Sequence, residues 1–493
     1  MGKMCFELPK QLPADLTSEL KHSCLAGGFD NSPSLTHVKL NGTALELSRN
    51  VDESGYWITP WCVGDCGRLM LQTATLIESN QPYSAGLELA RGKLNQLRNA
   101  LAEWPPQGTR LPESILDEFR RLNTQFAQTL SAESPEDLNR LSDQVLRDTC
   151  KLIDQFVPQF SLLQLQRRLP PNRRLDAGFG CHLSQIPSLA EEFIDTFNTV
   201  CMTLNWREIE PTESKYQWDH AGRLLDWALS RKLNVTAGPL IDFSGGNLPD
   251  WLALWEGDIP NIANFMCDYV ETVVNRFGDR IKRWHLTSGG NRADFLSVNE
   301  DETLFLTAKL AETALHLNPN LDLVVGVVQP WGEYLAHEDF TYSPLVFLDQ
   351  LLRAGLRFAA VDVEIVPGVT PRGSYCRDLL ELARILDHYS TLGAPLQVTL
   401  GFPSSNAADP TGRSDWRVSA GVWHNGFTPE EQSLWAEQAA TIALSRPFVN
   451  AVNWVHYSDA EAHQFPHCGL IDHNSAAKRS LSSLSRIRSQ FLK

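Results

Sequence analysis

The sequence predicts an α/β protein built on a closed (β/α)8 TIM barrel, preceded by a small antiparallel β domain and a helical segment. Three observations carry this expectation. From about residue 175 onward, strand-like and helix-like stretches alternate through eight cycles; alternating βα units form a parallel sheet, and eight of them close it. Residues 1–80 hold short β-like runs separated by Gly, Asn, Asp and Ser clusters, the texture of antiparallel strands and turns. Residues 81–170 switch to a helical period.

In the first region the β-like runs fall at 36–40, 44–47, 56–63 and 68–77, and Asn41-Gly42 marks a tight turn between two of them. This region reads as a small antiparallel β domain, without a ligand site that its residues define. In the second region Leu87, Leu89, Leu94, Leu97 and Leu101 form a helical stripe that Pro105-Pro106 stops. Two more helices are expected at 113–129 and 135–156, the latter started by Ser134 as N-cap with Pro135 in the first turn. Pro170-Pro171-Asn172-Arg173-Arg174 reads as a linker to the third domain, 175–493. Its strands are expected at 177–183, 199–204, 234–241, 281–288, 321–328, 358–365, 396–400 and 451–456. The helices that follow them are expected at 188–197, 220–231, 262–277, 302–317, 343–356, 375–392, 429–445 and 476–491. No strand leads into a Gly-rich phosphate loop, which argues against a doubly wound nucleotide-binding sheet.

Composition narrows the partners. The 493 residues include 43 Lys plus Arg and 59 Asp plus Glu, a net charge of −16. That disfavours nucleic acid and anionic membrane surfaces, whose affinity rests on cationic contacts. The N-terminal MGKMCFELPK has no signal-peptide core, and apolar runs such as 323–328 are too short to span a bilayer. The expectation is a cytoplasmic protein without a membrane segment. Ten Cys are scattered and only Cys62 and Cys66 are close, without a second pair to complete a zinc set. Free thiols, no metal and no cofactor are expected.

In such barrels function sits at the C-terminal ends of the strands. The residues there are His182, Asn205-Trp206, Asp242, Ser288 to Arg292, Gln329 to Glu333, Glu364, Gly401 to Ser404, and Trp454 with His456 and Asp459. This rim is aromatic, amide and carboxylate. It suits a neutral polyhydroxylated ligand better than a phosphate. His182, His285 and His456 match no metal-ligand spacing.

Residues 197–235 carry a Phe-Asn opening, Trp206 spaced from Glu210-Pro211, an aromatic pair at Tyr216 and Trp218, and a helix holding Trp227-Ala228. Leu248-Pro249-Asp250-Trp251-Leu252, the approach 273–284, Asn318-Pro319, and Trp454 with Asp459 continue the pattern. Together they resemble glycoside hydrolase family 10, the xylanases, over about 175–490. The resemblance implies retaining glycosidase chemistry, which needs two carboxyl groups about 5–5.5 Å apart. It also implies an acid/base Glu ending strand 4 and a nucleophile Glu after a Thr in strand 7. Here those positions hold Gly289 and Leu400. The family's substrate-holding Lys before the strand-2 Trp is Asn205, and its strand-3 His is replaced near Gly238.

Three readings follow. In the first, the protein is a carbohydrate-active enzyme with relocated carboxylates. Glu364 would be nucleophile or base and Asp242 general acid, a pair rotated by one strand from the family arrangement, with Glu333 a second acid candidate. In the second, it binds a β-linked saccharide such as xylan without turnover. Trp206, Trp331 and Trp454 would be platforms, with Asn205, Asn291, Gln329 and His456 as polar anchors. In the third, it is a scaffold whose N-terminal regions carry a homo-oligomer or protein interface.

Overall fold

The computed structural model describes residues 2–28, 30–104, 111–169, 173–244, 246–413 and 415–493, and of Asn80 the backbone alone. The expected stop at Pro105-Pro106 and the first three linker residues lie outside these. Eight parallel strands form the barrel: β1 Gly178–Leu183, β2 Thr199–Met202, β3 Asn234–Ala237, β4 Arg283–Ser288, β5 Asp322–Val327, β6 Ala360–Ile365, β7 Leu396–Leu400 and β8 Val449–Trp454. Each pairs with the next, β8 pairs with β1, and β3 pairs with β4, so the ring closes. The expected third strand, 234–241, is interrupted. Gly238 takes φ +122°, and a Cβ there would lie 2.0 Å from the His285 carbonyl oxygen. The strand resumes as Ile241–Asp242, again paired to β4.

Residues alternate across each strand. In β6 and β7, Val361, Val363, Ile365, Val398 and Leu400 belong to the continuous hydrophobic core. Asp362, Gln397 and Thr399 are buried between them in sequence. Thr399 Oγ1 donates to Asp362 Oδ1 at 2.8 Å, and Arg283 of β4 reaches Gln397 Oε1 at 3.3 Å. The barrel interior is therefore polar, and apolar burial lies between strands and helices.

The N-terminal β region forms two sheets. One has the order His37–Asn41, Ala44–Arg49, Gly2–Glu7, Ser79–Ser84. The other has the order Gly67–Gln72, Tyr56–Cys62, Cys24–Gly27, Ser32–Ser34. Phe6 of the first stacks on Trp57 of the second, centroids 4.0 Å apart. The region is not purely antiparallel, because Gly2–Glu7 runs parallel to Ser79–Ser84. The second sheet gains a fifth strand, Val422–Trp423, from the loop between β7 and β8.

The helical segment consists of Ala85–Glu103, Glu113–Thr129 and Pro135–Arg168. The last begins as expected, with Asp137 N–H donating to Ser134 Oγ at 3.1 Å. It runs a full twelve residues beyond the expected end at 156 and contains Pro158. It packs on the barrel helices Leu379–Tyr389 and Pro429–Ser445. At its end Arg168 Nη1 donates to the carbonyls of Leu444 and Arg446, both at 2.6 Å. These carbonyls terminate Pro429–Ser445 and lack partners within that helix. All ten cysteines are free. No helix among the described residues is long and apolar enough to cross a membrane.

One buried ion pair joins the helical segment to the barrel. Lys93 Nζ lies 2.6 Å from Asp378 Oδ2, with both side chains at most 2% exposed. Asp378 also caps the helix Leu379–Tyr389 by accepting from Glu381 N–H. Removing one partner of a buried pair strands the other charge. Lys93→Met is expected to cost about 3–5 kcal/mol of unfolding free energy in urea titration. Arg120→Ala, which breaks an exposed pair with Asp117, is expected to cost under about 1 kcal/mol.

Candidate active site at the barrel mouth

A cavity of about 1550 Å³ opens at the C-terminal ends of the strands. Asp242, Ser288, Glu364, Arg372, Thr399 and His456 are among its lining residues. Strand register sets the height of the two carboxylates. Glu364 of β6 is the Cα partner of Thr399 in β7. Asp242, on the resumed third strand, is the Cα partner of Ser288 in β4. Each carboxylate therefore stands one strand over from a position that the family resemblance assigns to a catalytic Glu, and at a similar level.

Their surroundings differ. Asp242 accepts from Ser244 N–H at 2.9 Å, Ser244 Oγ at 2.7 Å and Gln464 Nε2 at 2.7 Å. Burial pushes the Glu364 carboxyl up to about 8, and the nearby charges of Asp362 and Asp242 add to this while Arg372 opposes it. Burial likewise raises Asp362 to about 7, against hydrogen bonds from Thr399 and Gln397 and the charge of Arg283. His182 lies beside these groups on the cavity wall, held down to about 4 by burial. His285, inside the barrel, is held down to about 3 by burial, with the His182 and Arg283 charges adding to it.

Arg372 comes from the loop after β6. Its Nε lies 2.9 Å from Asp294 Oδ2, and Nη2 donates to the Phe243 carbonyl at 3.3 Å. Its Nη1 is buried without a hydrogen-bond partner. Gly289 has φ +69°, and a Cβ there would lie 3.3 Å from Arg372 Nη1 and 3.9 Å from Asp242 Oδ1. The guanidinium thus crowds the space that a side chain at position 289 would enter. Leu400 is 1% exposed and packs in the hydrophobic core, so β7 offers the cavity the Thr399 hydroxyl and no carboxylate.

Several expected ligand contacts lie elsewhere. Trp206 is fully buried, stacked on Tyr269 at 4.6 Å, and its Nε1 donates to Glu210 Oε2 at 2.7 Å. Trp454 is 2% exposed and donates to the Cys468 carbonyl at 2.7 Å. Trp331 lies under the Arg377 guanidinium, 4.3 Å from its ring centroid, and the same Arg377 pairs with Glu333. Glu333 also accepts from Tyr375 N–H at 3.0 Å, so its carboxylate holds a loop. Gln329 donates to the carbonyls of Pro371 and Gly373, both at 2.7 Å, and Asn291 bridges Val328 and Tyr334. None of these six lines the cavity.

Asn205 and His456 do line it. Asn205 Nδ2 donates to Glu208 Oε1 at 2.8 Å, while its Oδ1 is buried without a partner. The aromatic surface of the cavity includes Tyr216 and Trp218, stacked 5.3 Å apart, together with Trp416, Tyr457 and Phe465. The close Tyr216–Trp218 spacing was visible in the sequence. Arg372, Trp416 and Gln464 come from long loops, where periodicity carries no signal.

Two expectations follow. Trp206→Ala is expected to cost about 3–5 kcal/mol of stability, the loss of a filled core site, rather than to weaken a ligand selectively; chemical denaturation checks this. Glu364 binds a proton in the native state that the unfolded chain releases above about 4.5. Stability therefore falls as pH rises from about 4.5 to about 8. Glu364→Gln removes that loss. Its melting temperature is expected to match wild type in acid and to exceed it above about pH 8.

The sequence model of glycosyl hydrolase family 10 matches residues 181–287. Endo-1,4-beta-xylanase B of Thermotoga neapolitana is 28% identical over 85 residues, 17% of this chain. The aligned stretch spans about a quarter (24%) of that xylanase's length. Among solved structures, native xylanase 10B of Thermotoga maritima superposes with a TM-score of 0.48 at 14% identity, over 68% of this chain and 98% of that one. Xylanase 10B of Thermotoga petrophila in complex with xylobiose gives 0.48 at 15% identity, over 64% and 94%. From within β1 to within β4, over residues 181–287, the barrel carries the sequence pattern of glycosyl hydrolase family 10.

Proposed function

We propose that the protein is a carbohydrate-active, glycoside-hydrolase-like protein. Its barrel-mouth cavity takes a β-linked oligosaccharide or polysaccharide such as xylan, and Glu364 and Asp242 serve as the acid and its carboxylate partner. The observation that carries the reading is the register of these two residues. Both face one cavity, each one strand over from a family catalytic position.

From their environments we read the roles in the reverse of the sequence expectation. Glu364, raised to about 8, holds its proton at neutral pH and is the group able to protonate a glycosidic oxygen as the bond to the anomeric carbon breaks. Asp242 is surrounded by donors. Such a carboxylate can attack the anomeric carbon, or take a proton from the water that does. Tyr216, Trp218 and Trp416 supply flat apolar surface for sugar rings.

A second reading, saccharide binding without turnover, is favoured by the Arg372 guanidinium beside Gly289. Reducing-sugar release from xylan and xylo-oligosaccharides, run beside calorimetric binding, separates the two. The enzymatic reading expects Glu364→Gln and Asp242→Asn each to lower kcat by on the order of 100-fold or more. It also expects wild-type activity to decline above about pH 8, as Glu364 loses its proton. Turnover that survives both substitutions rejects the pair. Binding with no sugar released supports the second reading, and no binding to any β-linked glycan rejects both.

A further inference from the structure

Beyond the carboxylate pair, a second cluster lies outside the cavity lining but on two loops that contribute to it, where the loop between β7 and β8 meets the loop after β8. Asp409, His467 and His473 place one ligand atom each within 4.8 Å of one another. We propose that this cluster is a binding site for a divalent transition-metal ion of the zinc type.

The argument rests on where each ring nitrogen points. His467 Nε2 lies 3.1 Å from the Ala407 carbonyl oxygen, which can only accept. That nitrogen therefore carries the proton, and the lone pair of a neutral ring sits on Nδ1, 3.5 Å from Asp409 Oδ2. His473 Nδ1 lies 3.4 Å from Thr411 Oγ1, whose own hydrogen points to the Asp459 carbonyl at 2.5 Å. Its Nε2 then holds the lone pair, buried without a hydrogen-bond partner and 3.6 Å from Asp409 Oδ1. His463 differs: both of its ring nitrogens lie at hydrogen-bond distance from acceptors, so it buttresses the same carboxylate rather than offering a ligand atom. Nδ1 faces the Glu461 carbonyl at 2.8 Å, and Nε2 lies 3.0 Å from Asp409 Oδ2. Metal-binding histidines characteristically donate their distal N–H to a carbonyl or other oxygen, which fixes the tautomer.

The spacings agree. Ligands about 2.0–2.1 Å from a tetrahedral ion lie roughly 3.4 Å apart. The His467 and His473 contacts with Asp409, at 3.5 and 3.6 Å, are long for hydrogen bonds and close to that spacing. Among the described residues the ion-pair partners of Asp409 are histidines alone, and the N–H groups of Thr411, Gly412 and His467, which donate to its oxygens at 3.0, 3.0 and 2.7 Å, fix the carboxylate in place. A neighbouring group, His456, Asp459 and His463, has similar composition. There Lys478 Nζ already neutralises Asp459 at 2.5 Å, so it is an ion-paired network rather than a second site.

An ion on Asp409, His467 and His473 would cross-link the two rim loops. Gln464, which donates to Asp242, lies within the second of them. The proposed metal thus acts on the shape of the cavity rim.

The test uses the full-length protein, stripped with chelator and titrated with Zn²⁺. One ion per chain is expected, with a rise in melting temperature. His467→Ala and His473→Ala are each expected to weaken binding more than about 10-fold, while the exposed His37→Ala leaves it unchanged. Circular dichroism of the variants controls for folding. A readout free of variants is the visible absorption of the Co²⁺ complex, which should be intense, as for a four-coordinate nitrogen and oxygen site. Failure of the wild-type protein to take up Zn²⁺ stoichiometrically overturns the proposal. So does unchanged affinity in a folded His467→Ala, His473→Ala double variant.

Discussion

The pairing of β3 with β4 closes the ring, and most of what the molecule presents to a ligand depends on that closure. An open parallel sheet would leave two unpaired edge strands and spread the strand ends along a line. Closed, every strand delivers its C-terminal end to one rim. Groups from β6, the third strand and the loops after β6 and β8 then share one cavity although hundreds of residues separate some of them. Closure also encloses a polar interior. Asp362, Glu364, His182 and His285 lose water there, and that loss is the first cause of each of their shifted proton affinities.

The layers outside the barrel serve the same geometry. The long helix Pro135–Arg168 lies along barrel helices, and Arg168 satisfies carbonyls that those helices leave open. Lys93 neutralises Asp378 where both side chains are buried. Glu333, Arg377 and Trp331 form a clamp beneath this outer layer. A carboxylate at a strand end had looked like chemistry. In the structure its charge is spent on a guanidinium and backbone N–H groups.

The architecture was legible because it is written locally. The alternation of β-branched runs with amphipathic stretches gave β7 and the helix Pro429–Ser445 their full bounds, Leu396–Leu400 and Pro429–Ser445. The interruption of the third strand was less legible, since it depends on the approach of the His285 carbonyl to Gly238. Strand ends located Asp242, Glu364, Asn205 and His456 on the cavity, because a barrel fixes which rim carries them. They misplaced the three tryptophans. Whether a large ring at a strand end turns into the cavity or packs beneath it depends on neighbours that the strand pattern does not reveal. For Trp206 these are Tyr269, 63 residues on, and the nearby Glu210, and for Trp454 the Cys468 carbonyl. The Asp409 histidine cluster was invisible for a related reason. Its acid and its imidazoles sit on different loops, and only the fold gives them a common centre.

The strand Val422–Trp423 lies on the far side of the chain from the sheet it completes. Its partner, Gly67–Gln72, leaves the ribosome some 350 residues earlier. Until the stretch after β7 is made, that early sheet keeps an open edge of unpaired backbone groups, the kind of surface that recruits foreign strands. A growing chain of this protein therefore leaves that pairing unmade from its N-terminal sheets until most of the barrel has been synthesised. Synthesis speed and chaperone cover over that interval bear directly on how much of it reaches the native state.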